Sequence, residues 1–144
     1  MNTVWKHKPD IDAINSDRMS GTIMERLGIR ITEVGEDFIR GTMPADSRTF
    51  QPYGVVHGGA NVVLAETLGS VASAHAVESA DLQVFGQEVS ASHIRSVSSG
   101  LVTGTARPIH IGRRSQIWEI RLENDEGKLT CLSKLTMAVV PTRN

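Results

Sequence analysis

One stretch constrains the fold more than any other. HGGANVVLAETLGSVASAHAV, His57 to Val77, is a proline-free run of small and apolar residues holding a single carboxylate, Glu66. From Gly58 to about Glu78 it predicts an α-helix of about five turns. With small and apolar residues on most of its circumference, such a helix has to be covered by another layer. The flanking runs supply one. GIRITEV and DFIRGTMP alternate apolar and polar side chains on either side of Gly35 to Asp37, the pattern of a hairpin whose second strand ends at Pro44. After the helix come LQVFGQEVSASHIRSV, GLVTGTARPIHIG, RRSQIWEIRLEN and KLTCLSKLTMAVV, separated by turn signals at Ser98 to Gly100, around Gly112 and at Asn124 to Gly127. In the third of these, Trp118, Ile120 and Leu122 alternate with Glu119, Arg121 and Glu123, so one face is buried and the other wet. The order predicts an α+β domain: a hairpin, one long helix, then a meander of antiparallel strands, a single sheet covering a single helix. Before the hairpin, Ile11, Ile14, Ile23, Met24 and Leu27 predict one or two short helical turns broken at Gly21.

Nothing divides the chain. Its 144 residues contain no repeat, low-complexity tract or linker, and read as one domain, 1–144, able to hide about 70% of the surface of the unfolded chain. Fifteen Lys and Arg against 16 Asp and Glu give no overall electrostatic case for nucleic acid or an anionic membrane, so local charges must hold any anionic ligand. The single cysteine, Cys131, excludes an internal disulfide and fits a reducing compartment. No apolar segment suits a signal peptide or a membrane span, so the expectation is a soluble, cytoplasmic protein.

The lone acid needs a reason. An ionised carboxylate on a wrapped helix costs several kcal/mol unless it is hydrogen-bonded, paired or exposed. Its neighbours three and four residues away are Val62, Val63, Gly69 and Ser70, which leave room beside it and one hydroxyl within reach. At the helix start, Gly58 offers a backbone N–H in the positive end of the dipole, suited to a developing oxyanion. Eight residues at a rise of ~1.5 Å separate Gly58 from Glu66 by ~12 Å, too far for one helix to hold both on one carbonyl. If both act on one carbon, the second comes from another subunit. Taken alone, Glu66 reads either as a partly exposed or interface acid or as a catalytic one, His57 as a loop cap, and Gln51 as uninformative. His57, His75, His93 and His110 form no close pair at zinc spacing, so no metal is expected. Ser70 lacks a G-x-S-x-G elbow.

Together these residues form a pattern. MPADSRTFQPYGVVHGGANVVLAETLGSVAS, with Gln51, His57-Gly58-Gly59 and Ala65-Glu66 at these spacings, resembles the core motif of hotdog-fold acyl-CoA thioesterases of the PaaI-like group. Within that group it is most similar to the bacterial 1,4-dihydroxy-2-naphthoyl-CoA thioesterases of menaquinone synthesis and to siderophore-pathway relatives acting on aryl carrier proteins. The similarity continues through the VWK start, HIRSV, IHIGRRSQIWEI and CLSKLTMAV.

The resemblance implies a hotdog fold, an antiparallel sheet wrapped around one long central helix, with two subunits pairing their sheets and the site between them. Such dimers commonly pair again, so it implies a homodimer within a homotetramer. It implies hydrolysis of an aromatic or bulky acyl-CoA with no cofactor, coenzyme A being part of substrate and product. Glu66 would be nucleophile or general base, Gly58 the donor to the thioester oxygen, Gln51 and His57 the groups that orient and polarise the carbonyl, and Ser70 the holder of water. His93, Ile94, Arg95 and Ser96, with Gly86 close by, would line the acyl and pantetheine channel, and Arg113 and Arg114 would meet CoA phosphates. Val71 resembles the naphthoyl-CoA branch, where the carrier-protein branch often has Met. Gln87 and Ser92 depart from the pattern and imply a more polar or differently shaped acyl pocket. A carrier protein as partner and a non-catalytic acyl-CoA-binding module are the alternatives; the D-x-N-P-x-x-H pattern of hotdog hydratases is absent.

Overall fold

The structure is a computed structural model and describes residues 2–143. Its centre is helix α3, Gly58–His75, which lies against one six-stranded antiparallel sheet made of β1 (Arg30–Val34), β2 (Ile39–Pro44), β3 (Leu82–His93), β4 (Leu101–Ile111), β5 (Ser115–Glu123) and β6 (Leu129–Pro141). The α+β architecture with one long helix is as expected. Two short N-terminal helices, α1 (Ile11–Ala13, running on as a π turn to Arg18) and α2 (Ile23–Arg26), flank Gly21 as the sequence suggests. Asp10 starts α1 by accepting the Ala13 N–H at 3.1 Å.

The sheet order, β1-β2-β4-β5-β6-β3, corrects the expected meander of four strands. Only β4, β5 and β6 meander. β3 runs along β6, from Leu82 opposite Pro141 to His93 opposite Cys131, and forms the far edge of the sheet. The turn signal at Ser98 to Gly100 therefore closes a crossover rather than a hairpin, tied down by Val56 N–H to Val97 O (2.8 Å) and Ala45 N–H to Gly100 O (2.9 Å). Gly100 sits at φ 75°, where a side chain would be strained. Helix α3 is also shorter than expected. It ends at His75 rather than near Glu78, with the Ala76 N–H turned back to Ser73 O at 3.1 Å.

The core explains how helix and sheet fit. Leu64, Ala65, Leu68 and Ala72 of α3 are fully buried against Ile39, Met43, Val102, Trp118, Ile120, Leu122 and Leu135. Leu68 sits over two paired glycines that leave it room: a Cβ on Gly41 or on Gly104 would come within 2.7 or 2.6 Å of its methyls. The N-terminal segment closes the open end, Trp5 stacking on Trp118 at 6.2 Å and donating its indole N–H to Gly35 O at 2.7 Å. Cys131 is buried and free, and burial pushes its thiol above the ordinary range.

This layout leaves β3 unusual. It is bonded on one side only, Phe85 through Glu88 are all exposed, and Phe85 keeps 56% of its surface open. A bulge between Gly86 and Glu88 makes Gln87 the extra residue, which twists the strand just where it passes the middle of α3.

Candidate active site

The start of α3 has four backbone N–H groups that need acceptors from outside the helix. His57 is the N-cap: its ring Nδ1 accepts from Gly59 N–H at 2.8 Å, and its carbonyl takes the N–H groups of Ala60 and Asn61 at 2.9 and 3.2 Å. Gly58 N–H is left with no acceptor among the described residues. The backbone of His57 is itself anchored, its N–H reaching Thr49 O at 2.7 Å.

That free N–H opens on a cleft of about 260 Å³ whose walls include Gln51, Gly58, Asn61, His93, Ile94, Arg95 and Ser96. Six of the residues singled out in the sequence thus share one cavity. Gln51 is oriented by its own loop: the Tyr53 N–H is bonded to Gln51 Oε1, which leaves the side-chain NH₂ as the donor free to act. The preceding turn is stapled by Arg48, whose guanidinium donates to both oxygens of Asp46 (Nη2 to Oδ2, 2.7 Å) and holds that carboxyl below the usual range. Thr49 Oγ1 donates to Pro44 O at 2.7 Å. The imidazole of His93 rests on Gly58, its Nε2 2.8 Å from where a Cβ would stand, so glycine is what admits it. His57 stands exposed at the rim as the helix cap.

Two turns further along α3, Glu66 is half-buried. Its carboxylate lies directly on Gly86 of β3, so closely that a Cβ there would collide with Oε1. Among the described residues it accepts no hydrogen bond and pairs with no cation. Ser70, one turn on, has its hydroxyl 3.8 Å from the sulfur of Met137, and Met137 is the cross-strand partner of Gly86. Glu66, Ser70 and Gly86 therefore form a second cluster. From Ser70 a groove of about 260 Å³ runs beneath the N-terminal helices, lined by Ile14, Met24, Val71, Ala74 and Val84, with Arg18 and His75 as its polar members. The His75 ring is turned by Nδ1 to Val71 O at 2.8 Å.

The structure does not gather every residue expected at the site. Gly58 and Glu66 sit eight residues apart on one unbroken helix, ~12 Å along its axis. Arg113 and Arg114 are exposed in the bend just before β5. Arg113 borders a different cavity, about 570 Å³, beside Lys6, Val77 and Glu78 past the opposite end of α3. Gly86, expected in the substrate channel, is the seat of Glu66. Asn61 went unnoticed in the sequence, although an amide on the buried side of an apolar helix is a signal in itself. It is only 5% exposed, its Nδ2 lies 3.5 Å from His93 Nδ1, and its Oδ1 has no partner.

Residues 53–131 match the model of the Thioesterase superfamily. The chain is 45% identical over 137 residues to the proofreading thioesterase EntH of Cronobacter turicensis, covering 95% of this chain and 98% of that protein. It is 43% identical over 137 residues to the 1,4-dihydroxy-2-naphthoyl-CoA hydrolase of Escherichia coli K12, covering 95% and 99%. The crystal structure of a thioesterase from Haemophilus influenzae superposes with a TM-score of 0.93 at 43% identity over 96% of each chain. No helix among the described residues is long and apolar enough to cross a membrane.

Proposed function

The chain belongs to the thioesterase superfamily and is a thioester hydrolase; from that premise we propose that it cleaves an aromatic or bulky acyl-CoA at a site shared by two protomers. The Gly58 cleft of one faces the Glu66 carboxylate of the other. The observation that carries this reading is a free Gly58 N–H and an unpaired Glu66 carboxylate fixed ~12 Å apart on one helix. Each is half of a site. The unpaired edge of β3, with Phe85 exposed and Gly86 under Glu66, is the surface along which a second copy pairs, giving a homodimer that can pair again into a tetramer.

In the assembled site the thioester oxygen accepts hydrogen bonds from Gly58 N–H and the Gln51 amide, which stabilise the oxyanion as the carbonyl carbon becomes tetrahedral. The partner's copy of Glu66 either attacks that carbon, forming an anhydride that water then opens, or takes a proton from water held by Ser70. Both routes expel the CoA thiolate and release the free acid, with no cofactor. The acyl group lies in the groove beyond Ser70. At about 260 Å³ that groove is just under the ~300 Å³ at which small-molecule pockets begin, a size for the acyl moiety alone. Arg113 and Arg114 supply charge for CoA phosphates, in the cytoplasm.

The relative named 1,4-dihydroxy-2-naphthoyl-CoA hydrolase and Val71 beside Ser70 support an aryl-CoA substrate. The similarity to a proofreading thioesterase supports a second reading in which the acyl group arrives on a carrier protein. Thiol release from naphthoyl, hydroxybenzoyl, phenylacetyl and fatty acyl thioesters, each as CoA ester and as carrier-protein ester, separates the two by kcat/KM. Glu66→Ala lowers kcat by orders of magnitude; full activity in that variant would remove the carboxylate from the mechanism. Single-turnover hydrolysis in ¹⁸O-water labels the Glu66 side chain only if the anhydride forms.

A further inference from the structure

We propose that Asn61 is a positioning residue for His93, holding its ring in the tautomer that carries the proton on Nε2 and so placing a further hydrogen-bond donor beside Gly58 N–H and the Gln51 amide. The inference rests on the hydrolase reading for its purpose but on geometry of its own. Asn61 Nδ2 is 3.5 Å from His93 Nδ1, and as an amide nitrogen it can only donate. A neutral imidazole that accepts at Nδ1 must carry its proton on Nε2. Nε2 is the nitrogen that stands over Gly58, 2.8 Å from the Cβ position. Gly58 N–H, the free amide of the first turn, borders the same cleft.

Burial shows why the arrangement is not incidental. Asn61 is 5% exposed in a helix whose neighbouring buried residues are Ala60, Leu64 and Ala65, and its Oδ1 has no partner among the described residues. An aliphatic side chain there would leave no orphaned oxygen. Among the described residues, the only side-chain partner of the amide is the His93 ring. His93 itself lies at the end of β3, where an exposed imidazole would otherwise exchange tautomers freely. Through Asn61 the helix that supplies the Gly58 donor also orients the His93 donor. No proton is transferred in this role: Nε2–H donates a hydrogen bond to the oxyanion and keeps its hydrogen throughout.

The test uses ¹⁵N-histidine-labelled protein, with the His93 signals assigned by their loss in His93→Gln, and steady-state kinetics on the best CoA ester of the substrate panel. The wild type is expected to show His93 as the Nε2–H tautomer, and Asn61→Leu a mixture of tautomers. Asn61→Leu should lower kcat by about 10- to 100-fold with KM little changed, a fraction of the ~10²- to 10³-fold that a lost oxyanion donor costs. Asn61→Asp, which accepts from Nδ1–H, should turn the ring the other way and be no better than leucine. A glutamine at 93 has no tautomer, so Asn61→Leu should add no further loss in a His93→Gln background. An Nδ1–H tautomer in the wild type, unchanged kcat in Asn61→Leu, or the same fold loss in both backgrounds would overturn the proposal. A wild type that hydrolyses no thioester would instead overturn the function proposed above, while the tautomer spectra still decide the role of Asn61.

Discussion

Two inactive variants mixed together should make an active enzyme. In the shared site, Glu66→Ala removes the carboxylate from one half and Gly58→Val fills the cleft of the other, its Cβ meeting His93 Nε2 at 2.8 Å. Each homodimer then carries the same defect in both of its sites. In a heterodimer the two defects fall in one site, and the second combines an intact Gly58 with an intact Glu66. Random exchange between equal amounts makes about half of the dimers mixed, each with one good site of two, so activity should recover to about one quarter of the wild type. The figure follows from the ~12 Å along α3, which forbids one chain from placing both groups on one carbonyl. Co-expression with two affinity tags isolates the mixed dimer, thiol release measures its rate, and native mass spectrometry reports the exchange. The purified heterodimer is expected at about half the wild-type kcat per dimer. If it stays as inactive as its parents while the exchange is complete, each site lies within one chain and the reasoning fails.

Other perturbations follow from single contacts. Gly86→Ala puts a methyl where Glu66 Oε1 lies; a displacement of that size should lower kcat about 10²-fold with little change in melting temperature, and wild-type kcat would show that the carboxylate acts from elsewhere. Leu68→Ala empties the contact with Gly41 and Gly104 and should cost about 2–5 kcal/mol in urea unfolding, an Ile or Met there costing less. The Arg48 side-chain hydrogen bonds hold the Asp46 carboxyl below the usual carboxylate range, so the folded pKa is lower than the unfolded one. That contribution is complete above the unfolded value and is lost as pH falls through the folded one. The melting-temperature gap between wild type and Asp46→Asn should therefore be small at neutral pH, the pair being exposed, and should close below about pH 4; a gap independent of pH would mean the asparagine acts on the turn geometry instead.

What the residues decided alone was everything with a local period. Alternation in Trp118 to Glu123 and in the hairpin reported which face of each strand is buried, and the proline-free run from Gly58 reported one covered helix. Helical rise alone separated Gly58 from Glu66. The motif positions Gln51, Gly58 and His93 through Ser96 proved to share a cleft, although nothing in their spacing required it. Tertiary structure decided the rest. Periodicity is blind to which strand lies beside which, so β3 could leave the first place of the expected meander, beside β4, for the sheet edge beside β6, exposing the surface that a second copy needs. It is equally blind to what rests on a glycine: Gly86 carries Glu66, Gly58 carries His93, and the Gly41 and Gly104 pair carries Leu68. Competition for the helix-end amides was also settled only in three dimensions, where His57 took Gly59 N–H and left Gly58 free. Sequence patterns record what each residue prefers over a few neighbours, whereas contacts between Asn61 and His93, 32 positions apart, exist only once the chain has closed on itself.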